Sequence, residues 1–394
     1  MKKIFISYIS LIYIYILSSC ISDYEAVGLK DMSGLLVVEG IILEEGTKIF
    51  LSRTVSVNDH SSEIDYARVA NASIQIIDEA YNIIADAEES VPGTYIVKEH
   101  FSFAPAMKYA LDIRVSDKHY QSAFVEPLKT PEIDEVSWKL NDDYSIDIMV
   151  STHDSENESL YCLWSFEEDW EIRAQYMTAL RYDPDVGAVV PNSPYGSDNR
   201  YYCWTSDYSK SLLLATSEKF KNATIKDHKI HKLKPVNSRY SYLYSILVSQ
   251  YSVDREAAFY FDNLQRNIDE SGSIFAPQPS EKTGNVRCLS NPNETVIGYV
   301  VASKKTTSRL FIPMAELHLD NLDDKGDYCY VTLDLQESPE GAYIKGYGFY
   351  EEIVNYNAFG VPISRYRYKY LRCVDCTYRG GTKNKPDFWP NGHQ

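Results

Sequence analysis

Positively charged side chains are scarce in this chain. It contains 39 Lys and Arg residues against 56 Asp and Glu, which gives a formal net charge of −17 at pH 7. Proteins that bind nucleic acid neutralise phosphates with Lys and Arg, and proteins that lie flat on anionic membranes carry basic clusters. We therefore expect neither kind of partner, and the acidic excess favours solubility.

The short motifs of common enzyme classes are also missing. The sequence has no Gly-x-Ser-x-Gly elbow, His-Glu-x-x-His pair, Walker A loop or dinucleotide-binding glycine fingerprint. We accordingly expect no catalytic residue, no cofactor and no bound metal, and the sequence favours a binding function over catalysis.

Long apolar runs are absent except at the N-terminus. Lys2 and Lys3 precede an apolar stretch over residues 4–17, which is shorter than the roughly twenty residues that a helix needs to cross a bilayer. The small residues Ser18 and Ser19 then precede Cys20, the pattern of a bacterial lipobox. We predict a signal peptide over residues 1–19, a lipid on Cys20 that anchors the protein stably, and a tether over residues 20–34. The alternative is an ordinary secretory leader with an incidental cysteine.

Six cysteines remain after Cys20, an even number that allows three disulfides in an exported protein. The candidates are Cys162, Cys203, Cys288, Cys329, Cys373 and Cys376. The Cys-x-x-Cys pair at 373 and 376 fits a structural bridge that holds the C-terminal tail. Two alternatives are half of a zinc site, with His228 and His231 far away in sequence, and a thioredoxin-like redox pair.

Short alternating segments predict a mainly β fold. Several strand candidates separated by turn residues over residues 35–130 indicate an immunoglobulin-like β-sandwich. Thr130-Pro131 marks a boundary, and residues 131–394 form a larger β-rich domain. The 33 Tyr residues fit strand packing, although Tyr also suits wet binding surfaces.

One long helix is predicted near residues 253–271. Ser252 can cap its N-terminus, and Gly272 stands where a helix commonly ends. Its apolar residues recur at helical spacing and predict a face packed on the core. The alternative is a helix that fills the groove of a partner.

An acidic segment in a predicted strand is the main catalytic alternative. Glu167, Asp169 and Glu171 share one face of the strand, and Glu168 lies on the other with apolar neighbours. Clustered carboxyls could raise each other's pKa values and serve acid/base chemistry, as in a glycosidase. They could equally form a solvated face, with one acid paired inside the protein.

A ligand platform is predicted where aromatic residues follow a loop rich in Pro and Gly. Its members are Tyr195, Tyr201, Tyr202 and Trp204. Ordinary strand packing of Tyr202 and Trp204 is the alternative. The acidic turn over residues 320–327 raises a calcium hypothesis, although hairpin turns favour Asp and Gly in any case.

Segments along nearly the whole mature chain resemble one known family, the Bacteroidota lipoproteins catalogued as domain of unknown function 4249. These segments are the lipobox, Leu36-Val37-Val38-Glu39-Gly40, Leu51-Ser52-Arg53-Thr54, Trp164 through Glu171, Phe275 through Cys288, Val296-Ile297-Gly298-Tyr299, Cys373-Val374-Asp375-Cys376, Gly380-Gly381-Thr382 and Lys385 through Trp389.

The resemblance implies an accessory lipoprotein of a SusC/SusD-type, TonB-dependent complex that takes up glycans or peptides. Asp23 and Glu25 resemble the surface-export signal of such lipoproteins, which implies an outer-membrane location facing the exterior. The family supplies no catalytic residues. The competing functions are a surface glycosidase or peptidase of the same uptake system and a purely structural envelope lipoprotein.

Overall fold

The computed structural model describes most of the chain after residue 33. The described residues are 34–55, 67–156, 159–193, 196, 198–211, 213–218, 223–234, 239, 242–270, 284–317, 329, 331–333 and 338–390. The predicted leader, Cys20, Tyr195, Gly272 and the turn over residues 320–327 lie outside them. In the described part, no helix is long and apolar enough to traverse a bilayer.

Ten strands form one continuous sheet, called here the first sheet. They are β1 Leu36–Ile42, β2 Lys48–Arg53, β3 Ser73–Asp78, β4 Ile83–Val91, β5 Thr94–Val97, β6 Tyr109–Val115, β7 Lys118–Ser122, β17 Val286–Cys288, β18 Val296–Ile297 and β19 Val300–Ala302. Hydrogen bonding runs in the order β17-β7-β6-β3-β4-β5-β2-β1-β18, and β19 also pairs with β1. The predicted mainly β fold is confirmed. The N-terminal strands lie in this one sheet, which curls almost into a barrel, rather than in two separate sheets.

The interior of the first sheet is apolar because alternate side chains of each strand point inward. Leu36 and Val38 of β1 are fully buried, and the rings of Tyr95, Tyr109 and Tyr120 are buried with them. These tyrosines therefore serve strand packing.

The two end strands of the first sheet meet at a seam formed by Gly284, Asn285 and Gly298. A parallel bridge joins Gly284 to Gly298. The Asn285 side chain donates to the Val300 carbonyl and accepts from the Val300 amide, both over 2.8 Å. A Cβ atom on Gly284 would lie 1.8 Å from the Gly298 carbonyl oxygen. The seam thus closes because glycine has no side chain and tolerates a positive φ.

Residues 133–313 contribute a two-layer sandwich. Its five-stranded layer contains β10 Tyr161–Arg173, β13 Tyr202–Tyr208, β14 Leu213–Thr216, β16 Leu243–Ser252 and β20 Lys305–Pro313. Its three-stranded layer contains β8 Ile133–Leu140, β9 Ile146–His153 and β15 Thr224–Leu233. Apolar side chains of both layers, such as Ile148 and Ile246, share one core. The central strand β10 is therefore covered on one face by the second layer.

The step at Thr130-Pro131 is a buried junction between the first sheet and the sandwich. The Thr130 hydroxyl accepts from the Ser252 amide over 2.9 Å and lies 3.0 Å from the Ser303 hydroxyl. The Pro131 carbonyl accepts from the Gln250 side chain over 2.9 Å. Hydrogen bonds thus fix the two parts at this step.

The long helix predicted near residues 253–271 is α1, Arg255–Glu270. Asp254 caps it, since its carboxylate accepts from the Ala257 amide over 2.7 Å, so the predicted cap at Ser252 is wrong. The helix packs Ala257 between Val301 of the first sheet and Leu163 of the sandwich. Its apolar face is therefore core, as predicted.

The remaining elements form two hairpins and a C-terminal cover. They are β11 Leu180–Asp183, β12 Ala188–Pro191, α2 Pro339–Ile344, β21 Tyr347–Tyr356, β22 Pro362–Tyr370 and α3 Leu371–Val374, with 3-10 turns at Met314–Leu317 and Cys376–Arg379. Ser338 caps α2 by accepting from the Gly341 amide over 3.2 Å, and Pro339 suits the first helical position.

Candidate functional site

The acidic strand β10 is buried on both faces. Glu168, Asp169 and Glu171 are 2%, 7% and 0% exposed, and only Glu167 of the four predicted acids faces solvent. The predicted solvated face is therefore wrong for Asp169 and Glu171. Asp169 accepts from the Ser206 hydroxyl over 2.6 Å and from Arg309 over 3.2 Å, and Glu171 pairs with Arg173.

The cover over Asp169 and Glu171 is the C-terminal tail. Trp389 is buried against Phe311, and the Arg309 guanidinium lies 3.5 Å from the centre of the Phe388 ring. The tail pairs with β13 through Thr382 and Trp204. Strand alternation alone cannot reveal such a cover, because it arrives from a segment about two hundred positions later.

Glu168 points toward the second layer and is held by three partners. The Arg239 guanidinium donates over 2.6 Å, the Tyr244 hydroxyl donates over 2.7 Å, and His231 lies 3.3 Å away. Burial alone raises the pKa of Glu168, but the contacts with His231, Tyr244 and Arg239 outweigh it, and the pKa is lowered below its ordinary value. Glu168 is therefore ionised and paired inside the protein, an alternative that the sequence left open.

A cleft of about 320 Å³ opens beside Glu168 at the edge of the sandwich. Its lining, which defines the cleft, is Phe166, Glu168, Asp207, Tyr208, Ser209, Lys210, Ser211, His231, Lys232, Leu233, Lys234 and Arg239. The middle of β10 and the ends of β13 and β15 bring these residues together. Arg239 also stacks on Trp170 at 4.2 Å and donates to Asp207 over 3.0 Å. Its guanidinium thus joins the floor of the cleft to its rim.

The cleft is cationic in a strongly acidic protein. Its lining contains four permanently basic side chains (Lys210, Lys232, Lys234 and Arg239) and two carboxylates (Glu168 and Asp207), a surplus of two positive charges (4 − 2). The pKa of Asp207 is lowered, first by the hydrogen bond from the Tyr208 amide, so both carboxylates stay ionised near neutral pH. A proton donor in acid-catalysed glycoside hydrolysis needs a raised pKa instead.

The exposed rim of the cleft carries the contacts that a ligand could reach. Tyr208 is 66% exposed, and the Lys210 ammonium lies 5.8 Å from the centre of its ring. Lys232 lies 3.4 Å from Asp143, an exposed pair, and Lys234 is exposed beside it. An aromatic face among lysines suits an anionic ligand with an apolar surface.

The sequence did not predict this cleft, although one signal was present. Lys229, Lys232 and Lys234 lie close together in β15 and just after it, with His231 among them, in a chain of net charge −17. In such a chain, a segment rich in lysine has the opposite charge to the protein as a whole. What the sequence could not show is that this segment meets Glu168 and Asp207 from two other strands.

Two members of the predicted aromatic platform are buried. Tyr202 and Trp204 are 8% and 4% exposed and pack with Leu243 and Trp389, while Tyr201 lies edge-on to Tyr202 at 4.7 Å. Tyr195 lies outside the described residues. Strand packing, the stated alternative, therefore accounts for Tyr202 and Trp204, because the C-terminal tail covers them.

Two disulfides form among the six candidate cysteines, in the pairs Cys203–Cys376 and Cys329–Cys373. Cys162 and Cys288 are buried free thiols, so the third disulfide that the cysteine count allows does not form. The reason is that Cys162 lies in the sandwich core and Cys288 in the core of the first sheet.

The two cysteines of the Cys-x-x-Cys segment bond to different partners and hold the tail and α3 to the body. This corrects the redox hypothesis, because the two sulfurs do not form a pair with each other. It also corrects the zinc hypothesis, because a disulfide sulfur cannot act as a thiolate ligand. His228 instead stacks on Trp164 at 5.3 Å. In the described part of the chain, no group of three or more His, Cys, Asp or Glu could hold a metal ion.

A second cavity, of about 240 Å³, lies between the two hairpins and α3. Arg181 and Arg200 line it, and each lies next to carboxylates: Arg181 pairs with Asp183 over 2.9 Å, and Arg200 lies 3.8 Å from Asp375. Its three carboxylates (Asp183, Asp185 and Asp375) outnumber its two guanidinium groups, so it lacks the surplus of positive charge found in the cleft.

Comparison with known proteins identifies the family. No curated protein matches the chain. A family model described as "Domain of unknown function (DUF4249)" matches residues 23–309, which is more than two thirds of the chain and includes β10 and the rest of the sandwich as far as the middle of β20. The chain therefore belongs to the DUF4249 family.

Proposed function

We propose that this protein is a non-catalytic surface lipoprotein that binds an anionic glycan or acidic peptide in the cleft. A lipid on Cys20 would hold it at the outer membrane, facing the cell exterior. There it would act as an accessory subunit of a SusC/SusD-type, TonB-dependent uptake complex. The observation that supports this proposal most is the cationic cleft, whose two carboxylates are both paired with Arg239.

The charge distribution supports binding of an anion. The body as a whole repels anions, so a local surplus of positive charge must come from side chains gathered at one place. Lys210, Lys232 and Lys234 lie within reach of solvent, and their charges are not buried in the core. Fixed basic groups beside an exposed aromatic ring favour carboxylate or sulfate groups on a larger ligand.

The pairing of the acids supports binding rather than catalysis. An acid/base pair needs one carboxyl with a raised pKa and one that is free to act as base or nucleophile. The pKa values of Glu168 and Asp207 are both lowered, and Arg239 bridges them. This arrangement keeps the floor of the cleft rigid.

Calorimetric titration of the full mature chain tests ligand binding. The probes are oligogalacturonate, a poly-glutamate peptide and a neutral malto-oligosaccharide as control. We expect binding of one of the anionic probes that weakens as salt is added, and no binding of the neutral control. The double variant Lys232→Glu/Lys234→Glu should abolish binding. Lys226→Glu, an exposed lysine at the other end of β15, should leave it unchanged. Equal affinities for charged and neutral probes would contradict the proposal.

A pull-down in mild detergent from native outer membranes tests the role in a complex. We expect a SusC-like channel and its SusD-like lid to copurify with the tagged lipoprotein. Recovery of the intact lipoprotein alone, at full yield, would rule out the transporter role while leaving the ligand measurement valid. The two parts of the proposal can therefore fail separately.

A further inference from the structure

The hairpin of β21 and β22 ends in an uncharged, exposed tip, residues 353–364, called here the finger. These twelve residues contain no Asp, Glu, Lys or Arg, in a chain where 24% of residues are charged. Phe359 at the apex is 91% exposed and Tyr356 is 70% exposed. Val354, Val361 and Ile363 are each about half exposed. Such a concentration of exposed apolar surface marks an interaction site.

Both faces of the finger are apolar. Tyr356 pairs with Pro362 across the hairpin, and their side chains share a face with Val354. Ile363 pairs with Asn355 on the opposite face, together with Ile353. A segment that adds to the edge of a protein sheet binds through main-chain hydrogen bonds and places alternate side chains in pockets. Two apolar faces instead fit surroundings that are apolar on every side.

The turn of the finger pairs four of its own backbone amides. The Asn357 side-chain oxygen accepts from the Phe359 and Val361 amides, both over 2.9 Å. The Asn357 carbonyl accepts from the Gly360 amide over 3.0 Å, and the Asn357 amide donates to the Val361 carbonyl over 2.9 Å. A backbone that enters hydrocarbon must pair its polar groups internally. The apex meets that requirement at these four amides.

We propose that the finger inserts its apex into the outer leaflet of a lipid bilayer and forms a second membrane contact beside the lipid anchor. The anchor is part of the proposed function. Thirteen residues, 21–33, separate Cys20 from the described body, and this segment spans at most about 50 Å when extended. The body is therefore never far from the bilayer, while its net charge of −17 opposes lying flat on an anionic surface. An uncharged finger gives contact at one point and holds the acidic body away from the headgroups.

The second hairpin provides a matched control. The turn between β11 and β12 also presents an exposed apolar residue, Val186, which is 67% exposed. It is flanked by Asp183 and Asp185, and these carboxylates would have to leave water on insertion. Insertion is therefore expected of the finger and not of this turn.

The test uses the full mature chain with Cys20→Ser, so that no lipid can anchor it. Single cysteines at Phe359→Cys or Val186→Cys carry an environment-sensitive NBD fluorophore, which reacts selectively because Cys162 and Cys288 are buried and the other four are in disulfides. On addition of neutral phosphatidylcholine vesicles, we expect NBD emission at position 359 to rise several-fold and at position 186 to stay constant. In co-sedimentation, Phe359→Asp should weaken binding at least about tenfold, since a buried Phe side chain is lost, and Val186→Asp should not.

Because the variant lacks the lipid, this test does not depend on whether Cys20 is modified in the cell. Constant emission at position 359 across the vesicle titration would overturn the proposal. So would a photo-crosslinker at position 359, in native membranes, that captures a protein in place of lipid. That result would identify the finger as a protein-docking arm.

Discussion

The first sheet and the sandwich exclude water in different ways, although both are built from short strands. The first sheet closes on itself, and its ends meet at a glycine seam around an interior of aliphatic and tyrosine side chains. Its one cysteine in a strand, Cys288, is a free thiol. The sandwich instead buries Glu168, Asp169 and Glu171 in its central strand.

Cover from distant segments makes burial of these acids possible. The second layer supplies His231 to Glu168, and β20 supplies Arg309 to Asp169. The tail, which the Cys203–Cys376 disulfide holds, closes over Asp169 and Glu171. A curled sheet needs only its own strands to form an interior, whereas an open sheet must pack against another element to bury a face. The open sheet is the part that carries the cleft. The buried ion pairs and the proposed binding surface thus lie in the same part of the molecule, the sandwich.

Loss of the Glu168 carboxylate should be the largest single effect on stability. Glu168→Ala leaves Arg239 and Tyr244 buried beside an empty position, and breaking a buried charge pair costs about 3–5 kcal/mol. Urea unfolding of the variant against the wild-type protein measures this. Glu167→Ala, at the neighbouring exposed position, should change the free energy of unfolding by less than about 0.5 kcal/mol. Equal effects at both positions would show that the buried network does not hold the sandwich.

Removal of the Cys203–Cys376 disulfide should have the next largest effect. The bond joins residues 173 positions apart, and losing a native disulfide costs about 2–5 kcal/mol. The variant Cys203→Ser/Cys376→Ser should unfold at lower urea concentration. Hydrogen exchange should rise in β13 and the tail, while the first sheet stays protected. Exchange that rises equally in both regions would show that the first sheet depends on the tail.

Adding a single methyl group at the Gly284–Gly298 contact of the first sheet should lower the free energy of unfolding. Gly284→Ala places a Cβ atom against the Gly298 carbonyl and requires φ +92 from a non-glycine residue, so we expect a loss of about 2–3 kcal/mol. Gly46→Ala is the control, because Gly46 has φ +72 but no atom within 4 Å of the added Cβ. It carries the backbone strain without the clash and should cost about 1 kcal/mol. Similar losses at both positions would show that the seam can open without penalty.

These contrasts also show how far sequence reasoning reaches. The alternation of apolar and polar residues predicted most strands, because it depends only on neighbouring positions in the sequence. Leu36 and Val38, two positions apart and both buried, are an example. It could not show that residues 284–302 return to complete the first sheet, or that the tail reaches Asp169. The cysteine pairing is likewise undetermined by spacing alone. The cleft joins side chains from β10, β13 and β15, and only the register between strands brings Lys232 to the same opening as Glu168.

Acid should weaken the sandwich through Glu168 in a defined direction. Because its folded-state pKa is lowered, its contribution is fully present above the unfolded pKa near 4.5 and is lost as pH falls through the folded value. Glu168→Gln cannot gain a proton, so the stability gap between wild type and variant should be constant above about pH 5. It should then narrow as the pH falls further. Urea unfolding of both proteins between neutral pH and about pH 3 measures the gap. A gap that widens on acidification would mean that Glu168 is protonated more readily in the folded protein, and the cleft would then contain the proton donor that catalysis requires.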